Sequence, residues 1–173
     1  MKTSTIALLL LATGMVGQAV NASEPAKPPE LKVLERFVGT WNVEAVTKPA
    51  VWTPTEKKEK CVEYNEMVLD GWFLHGSSKT TDGKISAIVM NTYDPVKKEY
   101  CIRRFTSGGL CDEVTGQWDE ATSTLTVSGN LGRGITLNAA FHLTDKDRRE
   151  YLRVTPCAGQ FLGQVKVWCF VFG

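Results

Sequence analysis

Gly39-Thr40-Trp41-Asn42-Val43-Glu44-Ala45-Val46 is the stretch that decides the fold, because the spacing of apolar residues changes there. Before it, Leu31, Leu34, Phe37 and Val38 recur at the spacing of an amphipathic helix over Glu30–Val38. Gly39 then stands where a helix commonly stops. From Trp41 onward, Trp41, Val43 and Ala45 alternate with polar or small residues, the period of a half-buried strand. A helix of about nine residues is not stable alone in water, so its apolar face must dock on the strands that follow.

Downstream, strands and turns succeed one another with few long interruptions. Strands are predicted at Trp41–Val46, Cys61–Leu69, Trp72–Thr80, Lys84–Tyr93, Glu99–Thr106, Leu110–Trp118, Thr124–Ser128, Ile135–Thr144, Arg149–Thr155 and Gln164–Phe172. Lys48–Lys60, with its prolines and lysines, reads as an exposed loop. Asp70-Gly71 is a two-residue hairpin signal. Parallel pairing needs crossover connections of a dozen or more residues, usually helical, and the short connections here leave no room for a helix. Sequential antiparallel strands in this number close on themselves, since closure removes exposed edges. The expected fold is therefore all-β, an antiparallel up-and-down barrel of about ten strands with a short N-terminal helix. A two-sheet sandwich is the alternative, and it would need longer Greek-key connections. Ile135–Thr144 alternates most cleanly, placing Ile135, Leu137, Ala139, Phe141 and Leu143 inside. Trp168-Cys169-Phe170-Val171-Phe172 is apolar on both faces, which implies cover on both, by the helix or by a second subunit.

Residues 1–22 have the form of a secretory signal, with Lys2, an apolar Ile6–Ala12 core and small residues before Ser23. The expected organisation is a signal peptide over 1–22, an extended leader over 23–29 and one barrel domain over 30–173, in an exported protein, periplasmic or secreted. The apolar stretch is too short for an integral membrane span. The whole chain has 20 basic and 19 acidic residues, and Lys2 is the only charge in residues 1–22. A net charge near zero gives no support to nucleic acid as a partner. Cys61, Cys101, Cys111, Cys157 and Cys169 make an odd count whose connectivity spacing does not reveal. Cys101 and Cys111 flank one turn, but the hairpin register sets Cys111 opposite Phe105.

Motifs for chemistry are sparse. His75 and His142 have no second ligand at metal spacing, so no metal site is expected. The Gly129–Gly134 run precedes a strand rather than a helix, unlike a phosphate-binding loop. Arg103-Arg104 is more informative. Neighbouring strand residues face opposite sides, so one of the two points inward. An inward guanidinium needs a partner: a carboxylate such as Glu63, Glu66 or Glu113, or an acidic group on a ligand. Tyr64, Trp72, Trp118, Tyr151 and Trp168 either line a pocket or pack the core.

Four segments together resemble a family of secreted bacterial proteins known as domain of unknown function 1579: Phe37–Trp41, Val68–Leu74, Tyr93–Tyr100 and Gly116–Asp119 with Thr124–Thr126. The resemblance implies a lipocalin-like (calycin) barrel without an established activity. In lipocalins a basic residue near the last strand packs over the Gly-x-Trp indole, and here Gln164–Phe172 offers only Lys166. Haem-binding barrels that open similarly carry a ligating histidine near the C-terminus. None follows His142, so no cofactor is expected. The expected function is binding of a small apolar, amphipathic or carboxylate-bearing ligand by Arg103 or Arg104 with His75, Tyr64, Trp118 and Trp168. The alternatives are a homo-oligomeric interaction module and a small isomerase or hydrolase resting on His75.

Overall fold

The computed structural model describes residues 26–49, 54–131, 136–145, 148–157 and 160–171, with side chains as far as Glu150. One helical turn, α1 (Leu31–Glu35), precedes ten strands. These are β1 (Gly39–Thr47), β2 (Lys57–Val68), β3 (Phe73–Thr80), β4 (Ile85–Asp94), β5 (Glu99–Thr106), β6 (Cys111–Asp119), β7 (Thr124–Asn130), β8 (Thr136–Asp145), β9 (Arg148–Cys157) and β10 (Gln160–Val171). Every strand is antiparallel to its chain neighbour, and β10 returns to pair with β1, Trp41 lying opposite Val171. The all-β antiparallel expectation is borne out. Among the described residues no helix is long and apolar enough to cross a membrane.

Inward and outward faces follow the predicted alternation. Leu137, Ala139 and Leu143 of β8 are buried, while Thr136, Asn138 and His142 are exposed. Ile135 lies outside the described residues. Phe105 does stand opposite Cys111. Burial and the neighbouring Glu99 and Asp94 carboxylates push the Cys101 thiol pKa up, which keeps it protonated.

Four local readings need correction. First, α1 ends at Glu35 instead of reaching Val38. Leu31, Leu34 and Phe37 are buried as expected, but the chain has left the helix by Val38, which is 41% exposed. Gly39 takes φ +129°, a conformation that other residues adopt only with strain, and this turns the chain into β1. Second, Lys57–Lys60 belongs to β2 rather than to a loop, because the ladder with β1 extends to Thr47 opposite Lys57. Third, the Asp70-Gly71 hairpin has a four-residue connection, with Leu69, Asp70 and Gly71 all at positive φ. Gly129 is likewise a strand residue and not a loop residue. A Cβ there would come within 2.6 Å of Val114 Cγ1, so packing requires the glycine.

α1 lies across one end of the strands. Its Leu31 and Leu34 join Phe37, Leu74, Tyr100, Leu125 and Leu143 in the core, and Phe37 meets Phe141 edge to face at 6.4 Å. The Tyr100 hydroxyl donates to the Glu30 carbonyl oxygen at 3.0 Å, tying the helix start to β5. Burial, with the Glu30 carboxylate nearby, pushes the Tyr100 pKa up to about 12. The unfolded chain ionises this phenol near its ordinary value of about 10. The folded form keeps it protonated, so stability is full below pH 10 and falls as pH rises toward 12. Tyr100→Phe should cost about 1 kcal/mol at neutral pH by denaturant unfolding. It should also flatten the loss of stability between about pH 10 and pH 12. An unchanged alkaline slope would show that Tyr100 is not its source.

Candidate functional site

The interior is widest where the wall residues are small. Ala45, Gly76, Ser78 and Ala87, on β1, β3 and β4, leave space that larger side chains would fill. Val114, Leu125, Val127, Leu137 and Phe141 of β6–β8 form the facing wall. Between them lies a cavity of about 360 Å³. α1 and Phe37 close it at the end where β1 begins. Among the described residues its polar lining is Glu63, Asn65, Ser78, Asn91, Arg104, Asp112 and Arg149.

Trp41 anchors the closed end. Its indole is 1% exposed, and Nε1 donates to the Phe37 carbonyl oxygen at 3.0 Å. The Asn65 side-chain amide donates to the same oxygen at 3.1 Å. The Arg149 guanidinium carbon sits 4.4 Å from the centroid of the Trp41 ring. Arg149 is 5% exposed and ion-paired with Glu63, which lies opposite Trp41 on β2. The cation over the Gly-x-Trp indole thus comes from β9, one strand before the Gln164–Phe172 segment that offered only Lys166. Arg149 stands opposite inward Leu143 across the β8–β9 ladder, just past a register shift between Leu143 and Asp145.

The Arg103-Arg104 expectation resolves cleanly. Arg104 lines the cavity and Arg103 lies on the outer face, 63% exposed, with Nε 2.7 Å from Glu113. Arg104 is held by Asp112, which takes hydrogen bonds from both Nε (3.0 Å) and Nη2 onto Oδ2. Of the three carboxylates put forward for the inward arginine, none is its partner: Glu113 pairs with Arg103, Glu63 with Arg149 and Glu66 with His75. Asp112 takes the role because it stands directly opposite Arg104 across the β5–β6 ladder.

Among the described side chains, the other proposed site residues, His75, Tyr64 and Trp118, do not line the cavity. His75 sits beside Glu66, Nδ1 to Oε1 3.6 Å, on the opposite side of β3 from cavity-lining Leu74 and Gly76. Tyr64 is 42% exposed under Lys79, whose Nζ is 4.8 Å from the ring centroid. Trp118 packs against the core at the helix end, with Arg36 stacked on its ring at 4.8 Å. The Trp168 side chain lies outside the described residues; its backbone pairs with Glu44 and Glu150. Sequence reading missed Asp112, Asn65, Asn91 and Arg149, since polar residues on an inward strand face look no different from polar residues on an outward one.

Removing one member of the Glu63–Arg149 pair leaves the other charge in a largely desolvated place. Glu63→Gln should therefore destabilise the protein by about 3 kcal/mol in chemical denaturation. Replacing both together, Glu63→Leu with Arg149→Met, should cost much less. Equal losses in the single and double variants would mean the pair contributes only packing.

A protein-family model described as "Protein of unknown function (DUF1579)" matches residues 27–151. No curated protein matches the sequence. Among solved structures, an S-type phycobiliprotein lyase from Guillardia theta aligns with a TM-score of 0.53 at 8% identity, over 80% of this chain and 88% of that one. A protein of unknown function from the DUF3598 family of Nostoc punctiforme aligns with a TM-score of 0.50 at 12% identity, over 80% of this chain and 49% of that one. This chain thus spans about half of the Nostoc protein's length. At such identities the likeness is one of fold. The family match covers most of the sequence, from α1 through β8 and into the start of β9, and the chain belongs to the DUF1579 family.

Proposed function

We propose that this protein is an exported, lipocalin-like barrel that binds a small apolar or amphipathic ligand in its central cavity. The observation that carries the reading is the cavity: about 360 Å³, walled mainly by aliphatic side chains. Ligand sites run from roughly 300 to 1,000 Å³ and pair such walls with a few placed polar groups. The small residues Ala45, Gly76, Ser78 and Ala87 hold that space open from one side. The fold-level likeness to a phycobiliprotein lyase supports the barrel that encloses this space. Export is supported by the basic, apolar and small-residue pattern of residues 1–22.

A fluorescent apolar probe should bind the purified protein and be displaced by the natural ligand in a lipid extract. Ala87→Phe places a ring in the cavity and should weaken probe binding about tenfold or more, equivalent to at least 1.4 kcal/mol. Wild-type-like binding in a folded Ala87→Phe variant would place the probe elsewhere and sink the reading. For export, mass spectrometry of the periplasmic or culture fraction should find a chain that begins at Ser23. A chain retaining residues 1–22 in the soluble cytoplasm would overturn that part.

A further inference from the structure

We infer that the end of the barrel away from α1 is a docking surface for an anionic lipid bilayer. This goes beyond ligand binding and does not depend on it. The chain is close to neutral, but its charge is segregated by end. The far end holds the β1–β2, β3–β4 and β5–β6 hairpins, within 44–62, 79–85 and 105–111. Its lysines are Lys48, Lys57, Lys58, Lys60, Lys79 and Lys84, against Glu44, Glu56, Glu59 and Asp82. All four carboxylates are taken. Glu44 pairs with Lys60, Glu59 with Lys57, Asp82 with Lys84, and Glu56 with both Lys48 and Lys58. The surplus is two cations: Lys58, which shares Glu56, and Lys79, whose ammonium lies over the Tyr64 ring. By strand order 50–53, 132–135 and 154–164 belong to the same end, and Arg133 is the only charge in their sequence. The α1 end has the opposite balance. Each of its hairpins carries an aspartate, Asp70, Asp94, Asp119 or Asp145. Over 26–38, 69–72, 94–99, 119–123 and 144–148 the sequence has nine carboxylates against seven basic residues. A charge distribution of this sense turns the far end toward an anionic surface.

The same end exposes apolar side chains side by side. Ile85, Phe105 and Leu110 are 49%, 43% and 58% exposed. The Ser107 N–H donates to the Ser86 carbonyl and the Thr106 N–H to the Leu110 carbonyl, which ties the β3–β4 and β5–β6 hairpins together there. Phe105 faces outward, since its neighbour Arg104 lines the cavity. Lys79, one of the two surplus cations, stands opposite Ile85 across the β3–β4 ladder. Exposed apolar side chains beside cations suit a bilayer interface, where the former enter the acyl boundary and the latter meet phosphates. Scattered apolar residues carry no such meaning. Leu69 and Val96 at the α1 end are of that kind, in separate hairpins with Asp70 and Asp94. Ala45, Ser78 and Ala87 extend the cavity wall toward the far end, so docking turns the cavity to the lipid.

The test is co-sedimentation of the purified protein with vesicles. Wild type should bind vesicles that are about one-third phosphatidylglycerol at least about tenfold more tightly than vesicles of phosphatidylcholine alone. Near 1 M salt, where the screening length is about 3 Å, that preference should vanish. Ile85→Asp with Leu110→Asp should weaken binding to the anionic vesicles about tenfold or more. Lys58→Glu with Lys79→Glu should remove the preference for them, and serves if the first variant folds poorly. Leu69→Asp with Val96→Asp, at the α1 end, should bind like wild type. No binding of wild type to the anionic vesicles overturns the inference, and so does an equal loss in the α1-end variant. A wild-type dimer that Leu110→Asp dissociates, without vesicle binding, would assign the patch to a second copy and also overturn it. Binding of a fluorescent apolar probe, measured without vesicles, should be equal in all these variants, so failure of docking and failure of ligand binding are read separately.

Discussion

The Phe37 carbonyl oxygen accepts two side-chain hydrogen bonds, one from the Trp41 indole and one from the Asn65 amide, and the closed end of the barrel is organised around that atom. It lies just past a five-residue helix that could not persist alone. Trp41 binds it from β1 and Asn65 from β2, so one point in the chain fixes the helix to the first two strands. Burial of Leu31, Leu34 and Phe37 supplies the driving force, about 2 kcal/mol for each side chain. The hydrogen bonds add direction. They hold α1 where its apolar side meets Leu74, Leu125 and Leu143.

Arg149 and Glu63 complete this arrangement from the cavity side. The guanidinium lies on the indole face while its charge is met by the carboxylate, so the same cation packs and pairs. Buried pairs of this kind are weak sources of stability, because desolvation offsets most of the attraction. With Arg104–Asp112 on the β5–β6 side, all four interior charges named among the described residues cancel in pairs. Among the described side chains, both interior arginines are neutralised once their partners are placed.

Much of the fold was legible in the sequence, because strands and turns leave local marks. Alternation identified the inward face of β8, and short connections forced antiparallel neighbours. The Cys111–Phe105 register followed from counting across one hairpin. Boundaries failed where the deciding influence was non-local. Lys57–Lys60 looks like a loop by composition, yet the partner strand β1 runs long enough to pair with it. Gly129 looks like a loop residue, yet Val114 on the neighbouring strand occupies the space of its missing side chain.

The site shows the same division more sharply. By itself the sequence determined that an antiparallel all-β domain follows a docked helix, and that one of Arg103 and Arg104 points inward, since both depend on periods of a few residues. Only the tertiary structure decided which arginine it is, that Asp112 neutralises it, and that Arg149 lies over Trp41 against Glu63. Glu63 faces Trp41 across the β1–β2 ladder, and barrel closure between β1 and β10 brings the distant Arg149 to them. Charge pairing depends on distance in space, and for residues on separate strands that distance is set by the closed ladder and not by their spacing along the chain.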